Sequence, residues 1–195
     1  PCATIESNSN SSNIMRHVIS VLVQNEVGAL TRLTGLFSTR GYNIESLNVA
    51  PTEDPAISRL TVVTSGSDAA LEQIARQINK LVDVVDLHDM TLGDHFEREL
   101  ALIKLRVPMR DIENVTKHCQ SSGARVLDQL PGAFTVEYAN ATADVDRFIV
   151  GLTEVGTIVA LVRSGSLGIS RGATVLAGEA MPDIAVLAER VTGSR

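Results

Sequence analysis

The sequence predicts an α+β fold made of two ferredoxin-like βαββαβ units in tandem. Three observations lead there. The order strand, helix, strand, strand, helix, strand is legible in residues 17–91, and the same order returns in residues 99–165. The chain of 195 residues, 44% hydrophobic, is also long enough to bury two small cores. A split βαβ unit of this order closes a four-stranded antiparallel sheet with two helices on one face.

In the first unit, "HVISVLVQ" at 17–24 sets Ile19, Val21 and Val23 on one face and is β-branched enough for a strand. A helix over 28–40 follows, with Leu30, Leu33 and Phe37 at helical spacing and Gly41 as its stop. Residues 42–51 and 57–65 read as two strands joined by the polar link "TEDP". The clearest helix covers 68–83. Its stripe is Leu71, Ile74, Ala75, Ile78, Leu81 and Val82, and Ser67 or Asp68 can cap it. Residues 84–91 close the unit as a strand.

The second unit repeats the order. A strand spans 99–107, a helix 111–122 carries Ile112, Val115 and Cys119, and Gly123 stops it. Residues 125–130 and 133–139 form a hairpin around Pro131 and Gly132. A further helix aligns Val145, Phe148, Ile149 and Leu152, and "GTIVALVRSG" is the last strand.

The domain limits follow from these elements. Residues 1–14, "PCATIESNSNSSNI", are Ser- and Asn-rich with little to bury, which suits a disordered extension or a processing remnant, and Met15 has the look of a natural start. The first unit takes 15–92, "LGDHF" at 92–96 links it to the second at 97–172, and a tail at 173–195 holds a short helix near 184–191. Each unit leaves one sheet face and its edge strands uncovered, which predicts oligomers.

Composition narrows the function. A net charge of −6 with no Trp, two Tyr and four Phe argues against nucleic-acid binding, which needs a basic surface and stacking platforms. Only Cys2 and Cys119 occur, so there is no disulfide framework and a reducing compartment is the default. No apolar run reaches the roughly 18 residues of a membrane span.

Catalytic groups are not in evidence along the chain. His17, His88, His95 and His118 are scattered without metal-ligand spacing and read as surface or strand-end residues. Cys119 falls on an apolar stripe and reads as an inert core thiol. No nucleophile elbow or phosphate loop is present, so the expectation is a protein without catalytic or metal residues.

The loop "QNEVGAL" at 24–30 is the exception. A strand that turns directly into a helix leaves the N–H groups of Gly28, Ala29 and Leu30 without intrahelical partners, next to the positive end of the helix dipole. Gly28 has no side chain to hold a ligand off the backbone, and the Asn25 amide can donate and accept, which suits a carboxylate or a zwitterion. An ordinary turn capped by Asn25 fits the spacing as well, and spacing alone favours it. "RGYNIESL" likewise has a plain reading as a helix stop followed by a strand.

Four stretches together carry a family resemblance. "RHVISVLVQNEVGALTRLTGLFSTRGYNIESLNVAPTEDPAISRLTVVT", "QINKLVDVVDL" and "ERELALIKLRV", with "RSGSLGISRG" at the end, resemble the small regulatory subunit of acetohydroxyacid (acetolactate) synthase over residues 15–172. The resemblance implies an N-terminal ACT domain and a C-terminal ferredoxin-like domain. It implies a chain with no catalysis or cofactor of its own, whose partner is a large catalytic subunit that uses thiamine diphosphate, Mg²⁺ and FAD.

It further implies activation of that partner and feedback inhibition by branched-chain amino acids, valine above all, bound where the ACT domains of a homodimer meet. Carried over, the effector residues are Asn25, Gly28, Ala29 and Leu30 from one protomer with Asn43 and Ile44 from the other. Val27 and Thr31 depart from the residues common in relatives. A free-standing amino-acid sensor acting on another enzyme or on transcription is the alternative. The bacterial-like sequence implies a cytoplasmic protein, or a plastid one if the extension is a transit remnant.

Overall fold

In this computed structural model, residues 14–130, 132–172 and 176 are described. The first sheet is built around β1 (Met15–Gln24), whose residues from His17 to Val23 are all buried. A strand covered on both faces is apolar almost throughout, which is why "VISVLV" alternates so little.

From β1 the chain passes through α1 (Ala29–Thr39) to β2 (Ile44–Pro51) and β3 (Ile57–Gly66), then through α2 (Asp68–Ile78) to β4 (Val84–Asp89). All pairings are antiparallel in the order β2-β3-β1-β4. Ile19, Val21, Val23, Leu60 and Val62 pack under Leu33 and Phe37 of α1 and Leu71, Ile74 and Ile78 of α2. Ser67 caps α2 by accepting the Ala70 N–H.

The second unit runs β5 (His95–Arg106), a 3-10 turn (Met109–Asp111), α3 (Ile112–Ser122), β6 (Arg125–Leu130), β7 (Ala133–Asn140), α4 (Thr142–Val155) and β8 (Thr157–Arg163). Its sheet order is β6-β7-β5-β8. Strict alternation puts Ala101, Ile103 and Leu105 of β5 into a core with Val115, Cys119, Val136, Phe148 and Leu152. The fold is α+β with two βαββαβ units, as the sequence predicts.

Four expectations need correction. α2 ends at Ile78 rather than near 83, because five more helical residues would carry the chain about 7 Å past the sheet, while β4 must start back beside β1. Successive turns at Leu81 and Val84 reverse it instead, and Val82, expected on the apolar stripe, is exposed. His17 is not a surface residue. It is 2% exposed, with Nε2 3.3 Å from the Gly66 carbonyl.

The third correction concerns 92–96. β5 begins at His95, so only a short turn separates it from β4, and its first four residues pair with a ninth strand, β9 (Leu167–Ser170). β8 and β9 lie end to end along the same edge of β5, with Ser164, Gly165 and Ser166 forming a kink between them. Fourth, the outer face of the first sheet is not bare. β9 lies against it, and Val18, Val63 and Met90 form a small core of their own there. Gly168 permits this approach, since a Cβ on it would overlap the Met90 methyl group.

Of the expected extension at 1–14 only Ile14 is described, and it is exposed. The expected helix at 184–191 lies outside the described residues, as does Cys2. Among the described residues no helix is long and apolar enough to cross a membrane.

Candidate ligand site at the mouth of the first helix

The turn from β1 into α1 is pinned on both sides. Gln24 donates its N–H to the Asp83 carbonyl at 2.8 Å, and Asn25 donates its N–H to Ala56 at 2.7 Å. The Asn25 amide nitrogen also donates to the Pro55 carbonyl at 3.0 Å, so one of its two protons is already used to fasten the β2–β3 connection. Gly28 then takes φ +91°, a left-handed conformation that strains any residue with a Cβ.

Arg32 gives Gly28 a second reason to be glycine. A Cβ there would sit 2.8 Å from Arg32 Nη1. The guanidinium is held in place by Asp83, with Nε 2.5 Å from Oδ2 and Nη2 2.8 Å from Oδ1. Asp83 is 4% exposed. The hydrogen bonds from Arg32 hold its carboxyl below the ordinary value, against the opposing effect of burial, and the same pairing raises Arg32. Nη1, the nitrogen outside this fork, faces the backbone of Gly28.

The mouth of α1 therefore offers hydrogen-bond donors at the positive end of a helix dipole, with the charge of Arg32 itself balanced by Asp83. It combines the helix N-terminus, a first turn without acidic residues and a fixed guanidinium, while Glu26 on the exposed loop is the acid that opposes them. Of the expected free N–H groups, that of Ala29 donates to the Glu26 carbonyl at 3.3 Å. Ala29 itself is buried, and Leu30 is 40% exposed on the outer side of the helix.

Asn25, Gly28, Ala29 and Leu30 come together at this mouth, but Asn43 and Ile44 do not join them. The 11 residues of α1 carry the chain about 16 Å to the far end of the sheet before Asn43 is reached. There Asn43 is exposed, its carbonyl accepts the Thr64 hydroxyl at 2.6 Å, and half-buried Ile44 opens β2. Among the described residues β2 pairs with β3 alone, so it presents a free edge there.

Sequence reasoning missed Arg32 and Asp83. An acid set between Val82 and Val84 in an apolar run is the signal that could have raised the question of a buried cationic partner. Among the described residues no group of three or more His, Cys, Asp or Glu could hold a metal ion. Burial raises the Cys119 thiol above its usual value, in keeping with a core role.

Comparison with known proteins completes the description. Residues 19–86 match the family described as the AHAS small subunit-like ACT domain, and residues 98–172 match the small subunit of acetolactate synthase. The acetolactate synthase isozyme 3 small subunit of Salmonella typhimurium is 44% identical over 162 residues, covering 83% of this chain and 99% of that protein. Its Escherichia coli counterpart is 43% identical with the same coverage. The crystal structure of the acetolactate synthase small subunit from Thermotoga maritima superposes with a TM-score of 0.75 at 30% identity, covering 82% of this chain and 99% of that one.

Proposed function

The chain belongs to the family of acetolactate synthase small subunits, and we propose that it is a non-catalytic regulatory subunit that activates the large subunit and makes it sensitive to valine. Thiamine diphosphate, Mg²⁺ and FAD belong, in this reading, to the catalytic partner. The observation that carries the effector assignment is the donor-rich mouth of α1, where Gly28 opens the backbone and Asp83 fixes Arg32 against it. A small anion fits there, and an amino acid supplies one as its carboxylate.

One chain makes only half of such a site. Pairing two β2 edges about a two-fold axis brings the α1 mouth of one protomer towards the start of β2 in the other, because antiparallel strands run start against end. Asn43 then orients the ligand from across the interface, and Leu30 and Ile44 receive its isopropyl group. A ligand that touches both chains favours one dimer arrangement over others by its differential affinity, which is how binding reaches the catalytic partner.

Calorimetry with valine, leucine and isoleucine, with and without the large subunit, tests the proposal. It expects saturable binding by the small subunit alone, and no acetolactate formation without the partner. Failure of all three amino acids to bind refutes the effector assignment, and turnover by the isolated chain refutes the non-catalytic role.

A further inference from the structure

The strand that Asn43 leads into and Ile44 opens also touches the second unit, two residues further on. The Ser46 hydroxyl accepts the Ser166 N–H at 3.0 Å, and the Asn48 amide donates to the Ser164 carbonyl at 3.4 Å. Both contacts fall on the kink between β8 and β9. Gly165, at its centre, has φ +77°, and a Cβ on it would overlap the Ser46 hydroxyl. Ser166 is buried at 2% exposure, so its bonds are not exchanged freely for water.

On its other side the kink is tied to α4. The Ser166 hydroxyl donates to Glu97 Oε1 at 2.7 Å, and the same oxygen accepts the hydroxyl of Thr142, the first residue of α4, at 2.9 Å. Arg163, just before the kink, forks onto Glu99 at 2.7 Å and reaches Asp146 of α4 at 2.8 Å. From β2 to the start of α4 the route through Glu97 takes three hydrogen bonds, and a direct contact between the Ser166 and Thr142 hydroxyls at 3.0 Å shortens it to two.

Two features make this connection responsive rather than merely adhesive. The β2–β3 register shifts between Ile44 and Ser46, so Ser46 follows immediately on an irregularity in an edge strand, where small changes re-aim the side chains that follow. The units also meet here across an open polar cleft of about 480 Å³, lined by Arg16, Glu45, Ser46, Glu99, Asp146 and Arg163. Hydrogen bonds across such a cleft can rearrange without exposing a large apolar area.

We propose that the Ser164–Gly165–Ser166 kink conveys occupancy of the effector site from β2 to the second unit, with Ser46 and Asn48 as its positioning residues; the inference rests on the effector reading above. A ligand that fixes Asn43 and Ile44 fixes the irregularity after them, and so the aim of Ser46 at the kink. The coupling element is a physical contact between two identified segments, and it is separable from ligand binding by mutation.

The test uses the small subunit reconstituted with its large subunit. Ser46→Ala and Gly165→Ala should bind valine with a Kd within about fivefold of wild type, because neither residue touches the ligand. Inhibition at saturating valine should fall at least about twofold in both, and Ser46→Thr, which keeps the hydroxyl, should restore it. Full inhibition in both variants overturns the inference. So does a loss of affinity beyond about fivefold, which would put Ser46 in the ligand site itself. Absence of valine binding in the wild-type arm refutes the effector reading instead, so the two failures are told apart.

Discussion

Arg32 on α1 and Asp83 before β4 are joined by two parallel hydrogen bonds that fasten the helix mouth to the start of the next strand. The Asp83 carbonyl also accepts the Gln24 N–H, so one residue holds both the guanidinium and the end of β1. The pair therefore fixes a guanidinium N–H donor of the site as well as its walls. Arg32→Lys should lose the planar fork and weaken valine binding roughly tenfold. Calorimetry checks this, and an unchanged Kd would remove Arg32 from the site.

Gly28 combines φ +91° with the close approach of Arg32. Gly28→Ala should destabilise the folded chain by about 1–2 kcal/mol through the left-handed backbone alone, measurable as a lower urea midpoint. Gly28→Asp should go further, setting a carboxylate where the ligand's own belongs. The reconstituted enzyme should then remain activated but lose valine inhibition, and retained full sensitivity would count against the site.

Glu97 makes stability acid-sensitive. Burial opposes its ionisation, but hydrogen bonds from Arg16, Ser166 and Thr142 outweigh that and hold the carboxyl at about 2, below the ordinary 4.5. In that window the unfolded chain binds the proton and the folded chain does not, so stability rises with pH. The contribution is complete above the unfolded value and is lost as pH falls through about 2. After discounting for the partly exposed Arg16, it is on the order of 2 kcal/mol. Urea unfolding between pH 6 and 2.5 should show this slope, and Glu97→Gln should flatten it in part, with Asp83 supplying slope of the same sign.

The free edge of β2 gives a prediction about assembly. Val49, 42% exposed on that strand, is apolar where a solvent-facing edge normally carries charge. Val49→Lys should halve the sedimenting mass of the small subunit and weaken valine binding with it. A dimer of unaltered strength would place the interface elsewhere.

Much of this was legible in the sequence because the four helices, β5 and β7 each bury one periodic face and β1 is apolar almost throughout. Phe37 under β1 and Phe148 under β5 follow from spacing alone. β9 was not legible: it has four residues, with a glycine required by the nearness of Met90, and its stability comes from pairing with residues 95–98. The loop at Gly28 was legible as a place but not as a charge, because Arg32 is held by an acid 51 residues away. The separation of Asn43 from that loop follows from the length of α1, and it is why the proposed effector site calls for a second chain.

The most direct test is complementation in trans. Gly28→Asp spoils the helix mouth and Asn43→Ala spoils the strand start, so each protein alone should bind no valine. Refolded together at equal amounts, half the dimers carry one of each chain, and in these one site receives both defects while the other receives neither. Valine binding should return at about one quarter of the wild-type stoichiometry. If the mixture binds no more valine than either variant alone, the site is not shared between chains.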